Sequence, residues 1–470
     1  MIVRIQKAII RGIKNVEYGE MSFPCSLKED IFGNTADVTG IYGQNGSGKS
    51  AFIFSLAALK MLLSGRALPS DTAEHILFGK DMAGIRFEFS VTDKERFFLV
   101  NYEAVIRKCQ KKEKQDGLKS SGACISAESI TAKERIGMKY TRGHIVLACR
   151  EEEESGTYRI SPGVKRNRIE KAGGTTLEAV FQKANESGVS VLFSDEIRRW
   201  GEESGKENAK EDFDVCILNA LYQYGSSTLY IIDNRESGLI NANYALPFGI
   251  NVKEEGQAAM YTIPIHLTEP SVFSAKWFHL IEEKIENMNA VLSEIIPGLR
   301  VVLKETGKEH TESGAEQIIT ELEAERDGRR IPLRYESDGI KKIISVLHML
   351  IAMYNNPSMT LAIDELDSGI FEYLLGEILK VIKESGKGQL IFTSHNLRPL
   401  ETLNKDCIIF TTANPKNRYI RLKTKKGQNN LRNVYFHDII LGGQKECIYE
   451  PTSSYSISRV FRMAGETYAK

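Results

Sequence analysis

Apolar and polar positions along this chain follow two periodicities, and the switches between them outline its elements. The opening stretch MIVRIQKAIIRGIKNV alternates and predicts a strand. An apolar run from Val38 then leads through a glycine-rich loop into an amphipathic helix that reaches Leu63. Strand-like runs follow in IRFEFSV, RFFLVNYEAVIRK and HIVLACREEEESGTYRI, separated by polar turns, as suits an antiparallel lobe. Further on, FDVCILNALYQYG and AKWFHLIEEKIENMNAVLSEIIPGL show helical spacing. Heptads are not sustained, which excludes a long coiled-coil arm. In YESDGIKKIISVLHMLIAMY, residues Ile340, Ile343, Ile344, Leu347, Leu350, Ile351 and Tyr354 share one stripe and predict a helix packed on a sheet. The short apolar runs Met359 to Ile363 and Gln389 to Phe392 predict buried parallel strands.

This pattern divides the chain into five parts. Residues 1–90 form a lobe with the glycine-rich loop, 91–174 an antiparallel β lobe, and 175–297 a mainly helical insertion. Residues 298–412 complete the first lobe, and 413–470 form a C-terminal segment rich enough in aromatic and aliphatic residues to pack on the head or on a partner.

Composition narrows the class. A chain of 470 residues with 42% hydrophobic content is long enough for sizeable globular cores. Its 62 lysines and arginines balance 62 aspartates and glutamates, so no overall field draws in nucleic acid or an anionic membrane. The basic stretches RKCQKKEKQDGLK, GVKRNRIEK and LKTKKGQNNLR leave local nucleic-acid contact open, although solvated loops have the same composition. Seven scattered cysteines, without C-x-x-C or zinc spacing, suit a reducing compartment and give no structural metal site. No run has the length of a membrane span, and the start lacks a signal peptide's apolar block, so a cytoplasmic location is expected.

The candidate chemistry begins at GQNGSGKS, residues Gly43, Gln44, Asn45, Gly46, Ser47, Gly48, Lys49 and Ser50. This G-x-x-x-x-G-K-S pattern is a Walker A loop, in which backbone N–H groups and a helix N-terminus cradle phosphates. Lys49 is expected to reach the β- and γ-phosphates of ATP, and the Ser50 hydroxyl to coordinate Mg²⁺. Far downstream, MTLAIDELDSG places Asp364 and Glu365 at the end of a predicted parallel strand, the position of a Walker B pair. Asp364 is expected to hold Mg²⁺ through water and Glu365 to polarise the attacking water. Next, FTSHN puts His395 at a strand end, where an imidazole can sense the γ-phosphate. Ser337, followed by Asp338 and Gly339, stands at a helix start able to face an anion or simply to cap its own helix. Asp233 and Glu236, after the strand TLYII, imitate a second acidic site but suit a capping turn better.

The order of these motifs resembles the ABC-type ATPase head. Within that superfamily, GQNGSGKS and IIRGIKNV resemble the SMC and double-strand-break-repair branch, most closely the AAA-type ATPases related to the overcoming-lysogenization-defect (OLD) nucleases, many of which serve in anti-phage systems. Motifs support this over residues 1 to about 90 and about 295 to 412. The resemblance implies an α/β fold: an ABC-type P-loop head with an antiparallel β lobe and a helical insertion. It also implies that two heads sandwich ATP, so that Ser337 and Gly339 of one subunit meet the γ-phosphate held by Lys49 of the other, with Asp367 bridging the subunits. The chain departs from the family at Asp338, which stands where a glycine is common and puts a carboxylate near that phosphate.

An OLD nuclease carries a Toprim domain after the switch histidine. Here the remaining tail holds no D-x-D pair after an apolar strand. The resulting expectation is a Mg-dependent ATPase, homodimeric or higher, that controls a separately encoded nuclease or toxin, as in Septu- or PARIS-like defence. The alternative is a repair or recombination ATPase acting as a nucleic-acid clamp.

Overall fold

The computed structural model describes residues 1–24, 35–93, 96–109, 122–152, 158–163, 165, 169–170, 176–207, 213–242, 244–254, 257–311, 314–423 and 430–468. Parts of all three basic stretches lie outside these residues.

In chain order, β1 (Ile2–Ile13) and β2 (Val16–Ser22) form a hairpin, and β3 (Asp37–Tyr42) leads into α1 (Lys49–Leu63). The strands β4 (Met82–Asp93), β5 (Arg96–Lys108), β6 (Ala123–Ile136), β7 (Lys139–Tyr140), β8 (His144–Glu151) and β9 (Tyr158–Ser161) follow. Then come α2 (Leu177–Ser187), α3 (Asp195–Glu207), α4 (Phe213–Gln223), β10 (Leu229–Ile232), α5 (Asn234–Asn241), the hairpin β11 (Ala245–Glu254) and β12 (Gln257–His266), and β13 (Ser271–Ser274). After α6 (Ala275–Ile295) come β14 (Arg300–His310), β15 (Glu316–Arg326), β16 (Arg329–Pro332) and α7 (Asp338–Asn355). The chain closes with β17 (Thr360–Ile363), α8 (Glu372–Ser385), β18 (Gln389–Thr393), α9 (Pro399–Thr402), β19 (Ile408–Thr411), β20 (Tyr419–Ile420), α10 (Leu431–Leu441) and α11 (Ser454–Tyr468).

Two sheets make the head. One has the order β10-β17-β18-β3-β19-β20 and is parallel except at β20. The other is antiparallel, in the order β2-β1-β4-β5-β6-β8-β9, with β7 paired to β6. It therefore unites strands from the start of the chain with the later β lobe. The 175–297 region likewise lends β10 to the parallel sheet and carries the β11–β12 hairpin among its helices.

The period of two sorts the parallel strands between two cores. Ile41, Ala362, Ile391 and Ile409 face a cluster containing α1 and the antiparallel sheet. Tyr42, Leu361, Ile363, Leu390, Phe392, Ile408 and Phe410 face the cluster built on α6, α7 and α8. Helix α1 lies between two sheets, which is why Phe52, Ile53, Leu56, Leu59, Leu62 and Leu63 bury nearly its whole circumference. Helix α7 starts where the Ser337 hydroxyl accepts the Ile340 N–H at 3.4 Å and runs along the predicted stripe to Asn355.

The scattered-cysteine reading has one exception. Antiparallel pairing of β5 with β6 brings Cys109 and Cys124 together, and they form a disulfide across fifteen residues of sequence. Of the remaining described cysteines, Cys149 and Cys407 are buried and Cys447 is exposed.

Candidate nucleotide site

Parallel register brings the motif ends to one edge of the sheet. Thr393 pairs with Ile41 and Phe392 with Ile363, so the loop after β3, the acidic pair after β17 and the histidine after β18 leave the sheet side by side. Asp233 follows β10 one strand further out and directly precedes α5.

The glycine-rich loop is braced from outside. Asn15 in the β1–β2 turn donates to the Gly46 carbonyl, and Tyr419 donates to the Gly48 carbonyl at 2.8 Å. Ser47 donates to the Gln44 carbonyl at 2.6 Å, and its hydroxyl meets that of Thr411 at 2.5 Å. The Gln44 side chain accepts the Glu450 N–H at 2.8 Å. Gly48 has φ 99°, and a Cβ there would also press on Val16 and Arg418, so both conformation and space require glycine. No side chain among the described residues caps the start of α1, so its first-turn N–H groups are able to accept an anion as partner. Lys49 is buried and donates to the carbonyls of Gly43 and Gln44 at 2.8 and 3.1 Å. Burial lowers its pKa, against the opposing pull of Asp364, Glu365 and Asp367.

At the acidic end, Asp364 is buried and accepts the Thr393 hydroxyl at 2.5 Å. That hydroxyl also accepts the Glu365 N–H at 2.8 Å. Glu365 has φ 51°, an uncommon left-handed conformation for a residue with a side chain, so it leaves the strand in a direction different from Asp364. Asp367 accepts the N–H groups of His395 and Asn396 with Oδ2, at 3.0 and 2.9 Å, while its buried Oδ1 has no hydrogen-bond partner among the described residues. His395 is exposed at the strand end. Desolvation and then Lys49 lower its pKa, opposed by Asp367, Glu365 and Asp364. Lysine, carboxylates and imidazole thus share one electrostatic environment.

Ser337 and Asp338 are both exposed at the start of α7. No hydrogen bond or ion pair among the described residues joins Ser337 to the glycine-rich loop. A Cβ on Gly339 would run into the carbonyl oxygen of Gly369, so the two loops touch backbone to backbone. The Asp338 carboxylate pairs with Lys341 at 2.8 Å, one turn along the helix. Its charge near a phosphate is therefore offset within the same helix. Thr393, Thr411 and Tyr419 were not singled out by sequence reasoning; only the polar end of an apolar strand marks the two threonines.

The donor set fits a nucleotide triphosphate with Mg²⁺, an ion that takes few protein ligands: an uncapped helix start, a buried lysine, the half-buried Ser50 and the buried Asp364. Strand order and motif placement give a mixed α/β fold in which the glycine-rich loop and the acidic pair meet at one edge of a parallel sheet, with an antiparallel lobe and no long coiled coil among the described residues. No family model and no curated protein matches the chain. Among solved structures it is similar to an SMC head bound to the C-winged helix domain of ScpA, at 13% identity and TM-score 0.40, over 90% of this chain and 99% of that one. It is also similar to the SMC head domain from Thermotoga maritima, at 15% identity and TM-score 0.35, over 90% and 100%. A third match is the recombination mediator RecF with ATP, at 13% identity and TM-score 0.33, over 84% and 94%. No described helix is long and apolar enough to cross a membrane.

Proposed function

We propose that the chain is a Mg-dependent ATPase whose heads close on ATP as a homodimer. The observation that carries this is the convergence of Lys49, Asp364, Glu365, Asp367 and His395 at one sheet edge beside an uncapped helix start. Lys49 and the α1 N–H groups bind and orient the phosphates, with Gly43 to Gly48 shaping the cradle. Ser50 and Asp364 are the groups that would hold Mg²⁺, which supplies charge neutralisation at the phosphates. Glu365 accepts a proton from the attacking water, and His395 reads the γ-phosphate. Ser337 and Gly339 complete the site from a second copy, as the sequence resemblance implies, and the Asp367 oxygen that has no partner among the described residues is a candidate acceptor across the same interface. A change of assembly state would then control a separately encoded nuclease or toxin in anti-phage defence; this step is supported by the sequence resemblance.

ATP binding and hydrolysis by the wild type, with Mg²⁺ and with chelator, test the enzyme reading, and light scattering of Glu365→Gln with ATP tests closure. Hydrolysis that is independent of Lys49, or heads that stay monomeric with ATP trapped, would sink the corresponding part. DNA binding with a steep salt dependence would favour a clamp instead.

A further inference from the structure

The C-terminal arm leaves the head at the glycine-rich loop. Ile448 is buried, the Cys447 carbonyl accepts the Ala413 N–H at 2.7 Å, and Glu446 accepts from Asn414 and Asn417. Two residues on, the Glu450 N–H reaches Gln44. Beyond that point every residue from Pro451 to Ala464 is exposed. Yet α11 is amphipathic, with Ile457, Val460, Phe461 and Ala464 at helical spacing, and Val460 and Phe461 are 62% and 75% exposed. A helix of this length is marginal in water without something to cover such a stripe.

The same chain carries an uncovered groove of matching character. It has a volume of about 500 Å³ and lies between α6, α7 and α8, lined by Ile295, Leu350, Ile351, Tyr354, Ile378 and Val381 among others. Its charged lining residues are Glu294 and Glu377, whereas the middle of α11 carries Arg459 and Arg462. These arginines lie on the helix face opposite the stripe, so they favour approach by sign and do not anchor the contact.

We propose that α11 of one copy lies in the α6–α7–α8 groove of a second copy when the heads close on ATP. This rests on the closure proposed above, and chain length supports it. From Glu450 to Ser454 the chain spans at most about 14 Å, and Val460 lies about 9 Å further along the helix, giving a reach of roughly 23 Å from Gln44. In a closed pair the partner's Ser337 would stand at that same loop. Leu347 to Tyr354 then lie about 15 to 26 Å along the partner's α7, a span that includes the length of this reach.

The test mixes two full-length forms in a Glu365→Gln, Cys447→Ser background, one bearing Val460→Cys and the other Val381→Cys, with a short bismaleimide crosslinker. The expected result is a crosslinked species of dimer mass that forms only with ATP. Phe461→Asp should also weaken the ATP-bound dimer at least ten-fold, with ATP binding per head unchanged, and Phe461→Leu should restore it. A dimer by light scattering that neither crosslinks nor responds to Phe461→Asp overturns the docking while closure stands. Crosslinking only when both cysteines occupy one chain shows that the helix folds back on its own head, which also overturns it. If ATP gives no dimer, closure itself is wrong and the docking falls with it.

Discussion

The edge of the parallel sheet and the start of α7 are both aimed at phosphate in this reading, but they are built in opposite ways. At the sheet edge, Asp364 and Lys49 are buried, and Thr393 ties Asp364 to the backbone of Glu365. At α7, Ser337 is exposed and its hydroxyl is occupied by its own helix. The first arrangement is settled within one chain, since buried polar groups must find partners there. The second retains solvent-facing donors, whose use depends on something that arrives.

The largest effect should come from the buried half. Lys49→Ala is expected to abolish ATP binding, and Glu365→Gln to keep binding while lowering turnover by about 10²–10³-fold, the usual scale for removing a group that acts on the transition state. Equilibrium binding and steady-state hydrolysis separate the two, and normal turnover in Glu365→Gln would exclude it as the base. Next, Ser337→Arg in the Glu365→Gln background should leave ATP binding intact and remove the ATP-dependent dimer. An unchanged dimer by light scattering would erase the distinction between the two halves, leaving Ser337 a plain helix cap.

A smaller effect sharpens the description of the sheet edge. Thr393→Val keeps the shape but removes the hydroxyl, leaving Asp364 and the Glu365 N–H each without that partner. Turnover should fall about 10–100-fold, in line with roughly 1–3 kcal/mol for an unsatisfied buried group, and Thr393→Ser should recover most of it. Unchanged turnover in Thr393→Val would make the hydroxyl incidental.

The smallest effect concerns the buried body of α7. His348 is stacked on Phe248 and accepts the Gly249 N–H at 2.8 Å, and burial lowers its pKa to about 3. A group whose folded pKa is depressed contributes stability above its unfolded pKa of 6.5, and this is lost as pH falls toward 3. Denaturant unfolding at pH 5.5 should therefore show about 1 kcal/mol less stability than at neutral pH from this group. His348→Gln should flatten that part of the profile, and an equal slope in the variant would assign it elsewhere.

What the sequence disclosed divides along similar lines. The glycine-rich loop, the strand before Asp364, the strand before His395 and the extent of α7 were legible because each is encoded by adjacent residues with a clear period. Ser337 as an N-cap was legible for the same reason. The braces were not: Tyr419 meets Gly48 across 371 residues, and Ser47 meets Thr411 across 364. Neither has a local signature. Cys109 and Cys124 escaped spacing rules because strand pairing, not sequence proximity, joins them. The β11–β12 hairpin was hidden in a region read as helical, since Pro247, Gly249 and Pro264 interrupt its alternation.

The contact between Gly339 and Gly369 bears on how docking and sensing are linked. With no side chain between them, the start of α7 packs directly on the loop that also holds Asp367, and Asp367 in turn accepts from the backbone of His395 and Asn396. A push on α7 toward Gly369 by a neighbouring copy would thus be passed toward the histidine, through this backbone contact and the Asp367 carboxylate. If the proposed closure holds, docking and sensing would then be coupled rather than separate: a push on α7 by a partner would be felt at the loop that positions the proposed switch histidine.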